Sequence, residues 1–206
     1  GKHLQELLPN ATYVGSNIDL RDWINVDALF AKLQPTRVIH LAAKVGGIID
    51  NVNSPAEFYE DNVLMNTNLL KASKKYNVAR FTGMLSTCIY PNIVENYPMT
   101  EEDLFAGPPP PTNFSYAFAK RCLAVQVDAY NKQFKTKYNY LIPCNLYGDY
   151  DNLYDESKMH FITALLNKIK NAKDNKLNLL GTGKPLRQFM YAGDLAKVIK
   201  EIINKD

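Results

Sequence analysis

Apolar residues along this chain come in blocks rather than singly, and the spacing inside each block changes from one block to the next. Arg37-Val-Ile-His-Leu-Ala-Ala43 is a near-continuous apolar run, the pattern of a strand buried on both faces of a parallel sheet. Residues 80–85 and 138–143 read the same way, and 11–14, 177–180 and 189–191 read as shorter strands. Between the strands, apolar positions fall at helical spacing. Helices are predicted over 2–8 (stopped by Pro9-Asn10), from an Asp22 cap to 32, around 54–60, over 61–76, over 116–134 behind Ser115, over 158–170, and from 194 to 203. Residues 89–114 form a long loop with four consecutive prolines from Pro108 to Pro111, which predicts a stiff, extended lid. Strands alternating with helices predict an α/β fold built on a doubly wound parallel sheet.

In such sheets ligands sit beyond the carboxyl ends of the strands. Three polar clusters fall there: Lys44-Val-Gly-Gly47, Ser86-Thr-Cys88, and Asn145-Leu-Tyr-Gly148. Tyr116 and Lys120 lie one turn apart on a predicted helix, so an ammonium beside the phenol is expected to lower its ordinary pKa of about 10. With a Ser86 hydroxyl to orient a carbonyl, the three are the parts of a proton relay for hydride transfer. A lone Tyr-x-x-x-Lys also arises by chance on helices. Cys88, two residues past Ser86, offers a thiol as acid or base on the same side of an extended turn. The competing reading is a small buried hydrophobe. His160 follows an Asp-rich loop, whereas His3 and His40 read as structural. Asp19-Leu20 is placed to hold an adenine ring, with a simple turn as the alternative for Asp19.

Composition narrows the partners. The net charge of +3 arises from 24 basic and 21 acidic residues scattered along the chain, with no basic block to mark a nucleic-acid surface. Three cysteines without a CxxC predict no disulfide framework and a reducing, cytoplasmic setting. No apolar run approaches the roughly eighteen residues of a membrane span, and the N-terminus is not a signal peptide. No His, Cys and Asp cluster has metal-ligand spacing, so no metal is expected. The chain opens on Gly1-Lys2 without an initiator Met. The first strand and glycine turn of a dinucleotide fold are not seen, and only Gly1 stands where its last glycine would fall. A fragment of a longer protein is expected.

His40-Leu-Ala-Ala-Lys-Val-Gly-Gly47, Leu85-Ser-Thr-Cys-Ile-Tyr-Pro91, Tyr116-x-x-x-Lys120, Pro143-x-Asn-Leu-Tyr-Gly148 and Gly181-Thr-Gly-x-Pro-x-Arg-Gln-Phe189 occur in order. Together they closely resemble the GDP-L-fucose synthase family of the extended short-chain dehydrogenase/reductases, over essentially the whole chain. The Ser-Thr-Cys turn and the Val-Gly-Gly loop separate that family from other nucleotide-sugar enzymes; the Tyr-Lys pair is common to all. The resemblance implies NADP(H)-dependent 3,5-epimerisation and 4-reduction of a GDP-4-keto-6-deoxy-D-mannose substrate. It assigns Cys88 and His160 as the epimerising acid/base pair, Tyr116 as proton donor at C4, Ser86 as its hydrogen-bonding partner, and Lys120 as the residue that tunes Tyr116 and holds the nicotinamide ribose. It places Asp19, Leu20, Ala42, Ala43, Met84, Leu85, Ser86, Thr87, Lys120, Pro143, Cys144, Asn145, Leu146 and His160 against the cofactor. Lys168, Leu180 and Arg187 fall on positions that hold the GDP-sugar, Arg187 suiting the diphosphate.

Residues 1–148 would then be the Rossmann-like NADP-binding domain and 149–206 part of a substrate domain. A homodimer, paired through the helices over 61–76 and 116–134, is expected by resemblance alone. The chain departs from the family at Asp149 (usually Pro), Leu180 (usually Trp) and Lys168 (where Arg is also found), and it lacks the first strand. As it stands it is expected to bind NADPH weakly. The alternatives are another extended reductase (a 4-epimerase or a dehydratase, against which Cys88-Ile89 speaks) or a non-catalytic nucleotide-binding fragment.

Overall fold

The computed structural model describes residues 1–94, 97–151, 159, 161–172, 176–179, 182–184 and 186–204. In chain order its elements are α1 (Lys2–Leu7), α2 (Trp23–Leu33), β1 (Arg37–His40), α3 (Ile48–Asn53), α4 (Pro55–Lys75), β2 (Arg80–Met84), α5 (Phe114–Phe134), β3 (Asn139–Leu141), β4 (Asn145–Tyr147), α6 (Phe161–Lys170), β5 (Phe189–Tyr191) and α7 (Ala192–Asn204). They fall into two compact units, one of Asn10–Pro143 and the other of Gly1–Pro9 with Cys144–Lys205.

In the larger unit β1, β2 and β3 form a parallel sheet in that order, with Arg37 opposite Arg80 and Thr82 opposite Asn139. This is the parallel, Rossmann-like α/β arrangement that the sequence predicts. Parallel neighbours need crossovers, and α3 with α4 supplies one and α5 the other. The core gathers on the central strand. Phe81 is fully buried there among Leu70 of α4, Leu123 and Val127 of α5, and Val26 of α2. Gly83 lets α5 approach closely, since a Cβ at that position would lie 2.9 Å from Leu123 Cδ2. Asp22 caps α2 by accepting from the Ile24 amide at 2.8 Å, as its sequence position predicts.

Several expectations give way. Residues 11–14 form no strand, because β1 bonds only to β2 and no described residue pairs with its other edge. β1 stops at His40 rather than at 43, and the following Leu-Ala-Ala leads straight into the glycine loop. The helices predicted over 54–60 and 61–76 are one helix, α4, with Pro55 at its first position, where a missing amide costs nothing. α3 was not predicted; its start is held by Asp50, whose carboxylate accepts from the Gly47 amide at 3.1 Å. α5 begins at Phe114 behind Asn113, not behind Ser115. The loop before α5 is no lid. Ile89 and Leu104 are buried in the core, Pro109 is buried too, and Arg121 of α5 donates to the Ile89 carbonyl at 2.6 Å.

In the smaller unit β4 and β5 pair in parallel, and α1 packs on α7. β4 is a separate strand where the sequence reads as the polar end of the strand over 138–143, while 177–179 is not a strand. α7 buries Leu195, Ala196, Ile199 and Ile203 along one side. The His3 ring packs edge-on to Tyr150 (4.8 Å between centroids) and Tyr191 (5.3 Å), the structural role predicted for it. Asp149, at the position of the usual proline, accepts a hydrogen bond from the Tyr191 hydroxyl. Asp151 accepts from the Gly148 amide and from Thr163 of α6. Truncating Phe81 to Ala is expected to cost about 3–5 kcal/mol in urea unfolding, as a buried aromatic on a central strand should. A loss within ~1 kcal/mol would mean that the core is not centred there.

Candidate active site

β2 ends at Met84, and the chain runs extended through Leu85 and Ser86 before a short 3-10 helix, Thr87–Ile89. The Leu85 amide still reaches the sheet, donating to the Leu141 carbonyl at 2.8 Å. Ser86 Oγ caps the short helix by accepting from the Cys88 amide at 3.4 Å. The turn therefore holds the Ser86 hydroxyl and the Cys88 thiol, both half-buried, at the carboxyl end of the central strand.

α5 brings Tyr116 and Lys120 to the same place. Lys120 is 2% exposed, and its ammonium donates to the Met84 carbonyl at 2.9 Å. That bond ties the second turn of α5 to the end of β2 and sets Tyr116 over the Ser86 turn. The Tyr116 phenol lies close enough to Ser86 and Cys88 for both to act on its acidity. The Phe58 ring of α4 stands edge-on to it, 6.4 Å between centroids. Ser86, Cys88, Tyr116 and Lys120 are thus brought together at the end of β2.

The electrostatics differ from the expectation. Burial pushes the Tyr116 phenol well above its ordinary range, Cys88 adds to the rise, and Ser86 only partly offsets it. Lys120 does not lower it: its Nζ is 5.9 Å from the ring centroid and is committed to Met84. Burial also lowers Lys120 itself, to about 8. Below Lys120 lies His40, whose pKa falls to about 4 through burial and then through the Lys120 charge. Asn66 donates to the Ala119 carbonyl, so its Oδ1 faces His40 and accepts from Nε2 at 2.9 Å. His40 is neutral and structural, as its place in a strand predicts.

The glycine loop after β1 is held by amide side chains that the sequence did not single out. Asn62 accepts from the Lys44 amide at 3.1 Å and donates to the Lys44 carbonyl at 3.0 Å. Asn51 donates to the carbonyls of Gly46 and Gly47. Gly46 admits no side chain, because a Cβ would lie 2.8 Å from Phe58 Cζ and from Asp50 Oδ2. The available signal was Asn62, Asn66 and Asn68 inside a helix, where asparagine is a poor former and needs another reason to be present.

The remaining candidates have these positions. Asp19 is exposed and engaged by Arg21, whose guanidinium donates to it at 2.9 and 2.7 Å and holds its carboxyl well below the usual range. Arg21 continues to Asp61 at 3.0 Å, and Asp61 reaches Lys44 at 3.3 Å, so a chain of charges links the 19–21 turn to the glycine loop. Leu20 is half-buried against the core. Ala42 is exposed and Ala43 half-buried on the loop after β1; Met84 is buried, and Thr87 is half-buried beside Cys88. Pro143, Cys144 and Leu146 are half-buried, and Asn145 donates through its side chain to the Gln188 carbonyl at 3.1 Å. Lys168 and Arg187 are exposed; among the described residues they donate to backbone carbonyls, those of Asn178 and Leu186. His160 and Leu180 lie outside the described residues. Among the described residues no group of three His, Cys, Asp or Glu side chains is placed to hold a metal.

The chain matches the NAD dependent epimerase/dehydratase family over residues 5–206. It is 42% identical over 193 residues to the GDP-L-fucose synthase of Dictyostelium discoideum, covering 92% of this chain and 59% of that one. To the GDP-L-fucose synthase of Escherichia coli it is 35% identical over 184 residues, covering 87% and 56%. The crystal structure of a GDP-L-fucose synthetase from Naegleria fowleri bound to NADP superposes with a TM-score of 0.83 at 38% identity, covering 97% of this chain and 67% of that one. The chain thus spans about three fifths of the length of the curated relatives it matches.

Lys120 gives a pH signature. Its folded pKa of about 8 lies below the ordinary 10.5, so between those values the unfolded chain binds more protons and stability rises with pH. Replacing Lys120 with Met should remove that rise. Urea unfolding at pH steps across the window reads it, and identical pH slopes in the two proteins would show that Lys120 is not buried as a cation.

Proposed function

The chain belongs to the NAD dependent epimerase/dehydratase family, and on that premise we propose that it carries the catalytic residues of an NADP(H)-dependent enzyme that converts GDP-4-keto-6-deoxy-D-mannose to GDP-L-fucose by 3,5-epimerisation and 4-reduction. The observation that carries this reading is the convergence of Ser86, Cys88, Tyr116 and Lys120 at one strand end. The names of the relatives at 42% and 35% identity support the substrate class.

The residues present fit a nicotinamide-ribose end. Lys120 uses one ammonium hydrogen on Met84, which leaves two donors for ribose hydroxyls. Met84–Thr87, Ala42, Ala43 and Pro143–Leu146 would line that cofactor, with Asp19 and Leu20 at its adenine. NADPH, when bound, supplies the hydride for C4. Protons at C3 and C5 of the sugar are acidified by the 4-keto group, so Cys88 as thiolate can remove one and His160 return one to the opposite face. Tyr116 then gives its proton to the C4 oxygen while Ser86 hydrogen-bonds the same oxygen. A phenol raised by burial suits that step, since Tyr116 stays protonated at neutral pH until a developing alkoxide, a stronger base, takes the proton. Lys168, Leu180 and Arg187 are assigned to the GDP-sugar, Arg187 to its diphosphate.

In this reading 1–148 holds the cofactor and 149–206 contributes to the sugar site. The active form is a homodimer paired through α4 and α5, whose outer faces leave Leu64 and Val125 exposed. The three free cysteines suit a cytoplasmic setting. The test supplies the full-length protein with GDP-4-keto-6-deoxy-D-mannose and NADPH and follows absorbance and sugar product. Tyr116→Phe should slow reduction by a factor of roughly 10² or more. Cys88→Ser should abolish exchange of the C3 and C5 protons with solvent deuterium. Wild-type exchange in the Cys88 variant would remove Cys88 from the mechanism.

A further inference from the structure

The end of the larger unit away from the Ser86 turn carries a feature that this chemistry does not use. Where β1 and β2 begin and α4 and α5 end, a cavity of about 510 Å³ is lined by Arg37, Lys74, Arg80, Lys135 and Lys137, with Phe134 as an aromatic wall. No lining residue is acidic, and among the described residues none of the five cations forms an ion pair. Arg37 and Arg80 are direct partners in the register of neighbouring parallel strands. Like charges at paired positions destabilise a sheet, so these two arginines cost stability unless an anion bridges them. Arg80 and Lys74 are half-buried, which raises that cost.

The ends of two helices account for part of the charge. Each helix C-terminus behaves as about half a negative charge, and Lys74 in the last turn of α4 answers it. Two such ends leave most of five positive charges without a counterpart. The loops that carry the cations are also pinned. The Asn131 side chain donates to the Tyr138 carbonyl at 2.8 Å and accepts from the Tyr138 amide at 2.9 Å and from Thr136 at 2.8 Å, which fixes the turn bearing Lys135 and Lys137. The Thr36 carbonyl accepts from the Ala79 amide at 2.9 Å and fixes the start of β2. Lys74 Nζ lies 5.2 Å from the Phe134 centroid, so the ring holds one of the cations over the cavity.

We propose that this cavity is a binding site for a small anion bearing two or more phosphate groups, separate from the Ser86–Tyr116 site. Its volume falls in the range of small-molecule pockets. The paired arginines offer fork-shaped donors, which match phosphate oxygens. The scattered charge elsewhere on the chain argues against an extended nucleic-acid track.

Titration of the isotope-labelled chain with inorganic pyrophosphate, followed by amide NMR, tests the site. Saturable shifts are expected at residues 77–80 and 134–138, with sulfate at matched ionic strength producing much weaker ones. Arg80→Ala with Lys135→Ala should weaken binding at least ~10-fold without lowering the thermal melt of the anion-free chain, which relief of the Arg37–Arg80 repulsion should if anything raise. Should that pair disturb folding, Lys137→Glu alone, at an exposed position, should also weaken it. Shifts confined to the 44–47 and 86–88 loops would overturn the proposal. So would pyrophosphate binding no tighter than sulfate, unchanged binding in the variants, or displacement of pyrophosphate by duplex DNA at equal phosphate concentration.

Discussion

A lysine ammonium sealed inside the larger unit, bonded to the last carbonyl of the central strand, is the constraint on which the candidate site depends. Lys120 is among the most buried charged groups described, and burying it is unfavourable unless its hydrogens are engaged. Its bond to Met84 therefore fixes how far α5 slides along β2. Tyr116, one turn earlier, inherits its position over Ser86 from that bond. Burial, and after it the charge of the same cation, keeps His40 neutral beneath it, so the floor of the site holds one positive charge and not two.

Around that anchor the backbone is shaped by amides rather than by charges. Asn62 and Asn51 hold the glycine loop through its own peptide groups, and Asn66 joins β1 to α5 through His40. Side-chain amides bonded directly to loop peptide groups specify one loop conformation where apolar packing alone would tolerate several. The outer charges on Lys44, Asp61 and Arg21 then tie the loop to the turn holding Asp19. Preorganisation of this kind lets proton donors sit ready at a reacting carbonyl without rearranging during the reaction.

What was legible in the sequence follows from periodicity and spacing. Continuous apolar runs marked β1, β2 and β3, and the four-residue separation of Tyr116 and Lys120 put both on one side of α5. The Ser86 and Cys88 turn was legible because it follows a strand. Residues 11–14 misled because a strand exists only through its neighbour, and a sequence does not say which neighbour is present. β4, read as the polar end of the strand before it, was hidden because three residues carry too little pattern to stand as a strand of their own. The direction of the Tyr116 shift was misread for a related reason: spacing brings a charge near, but only packing decides whether that charge or burial dominates. Here the ammonium faces Met84 and burial wins. The family relationship, by contrast, was carried by motif order across the whole chain and agrees with the match over residues 5–206.

Burial holds Tyr116 as a neutral phenol rather than as a phenolate made by Lys120. Carbon-13 labelling of the tyrosine ring carbon that bears the hydroxyl, assigned with Tyr116→Phe and titrated by NMR, reads this directly. The Tyr116 resonance should remain that of a neutral phenol up to and beyond the ordinary tyrosine pKa of about 10. A phenolate signal for Tyr116 appearing near neutral pH would contradict it.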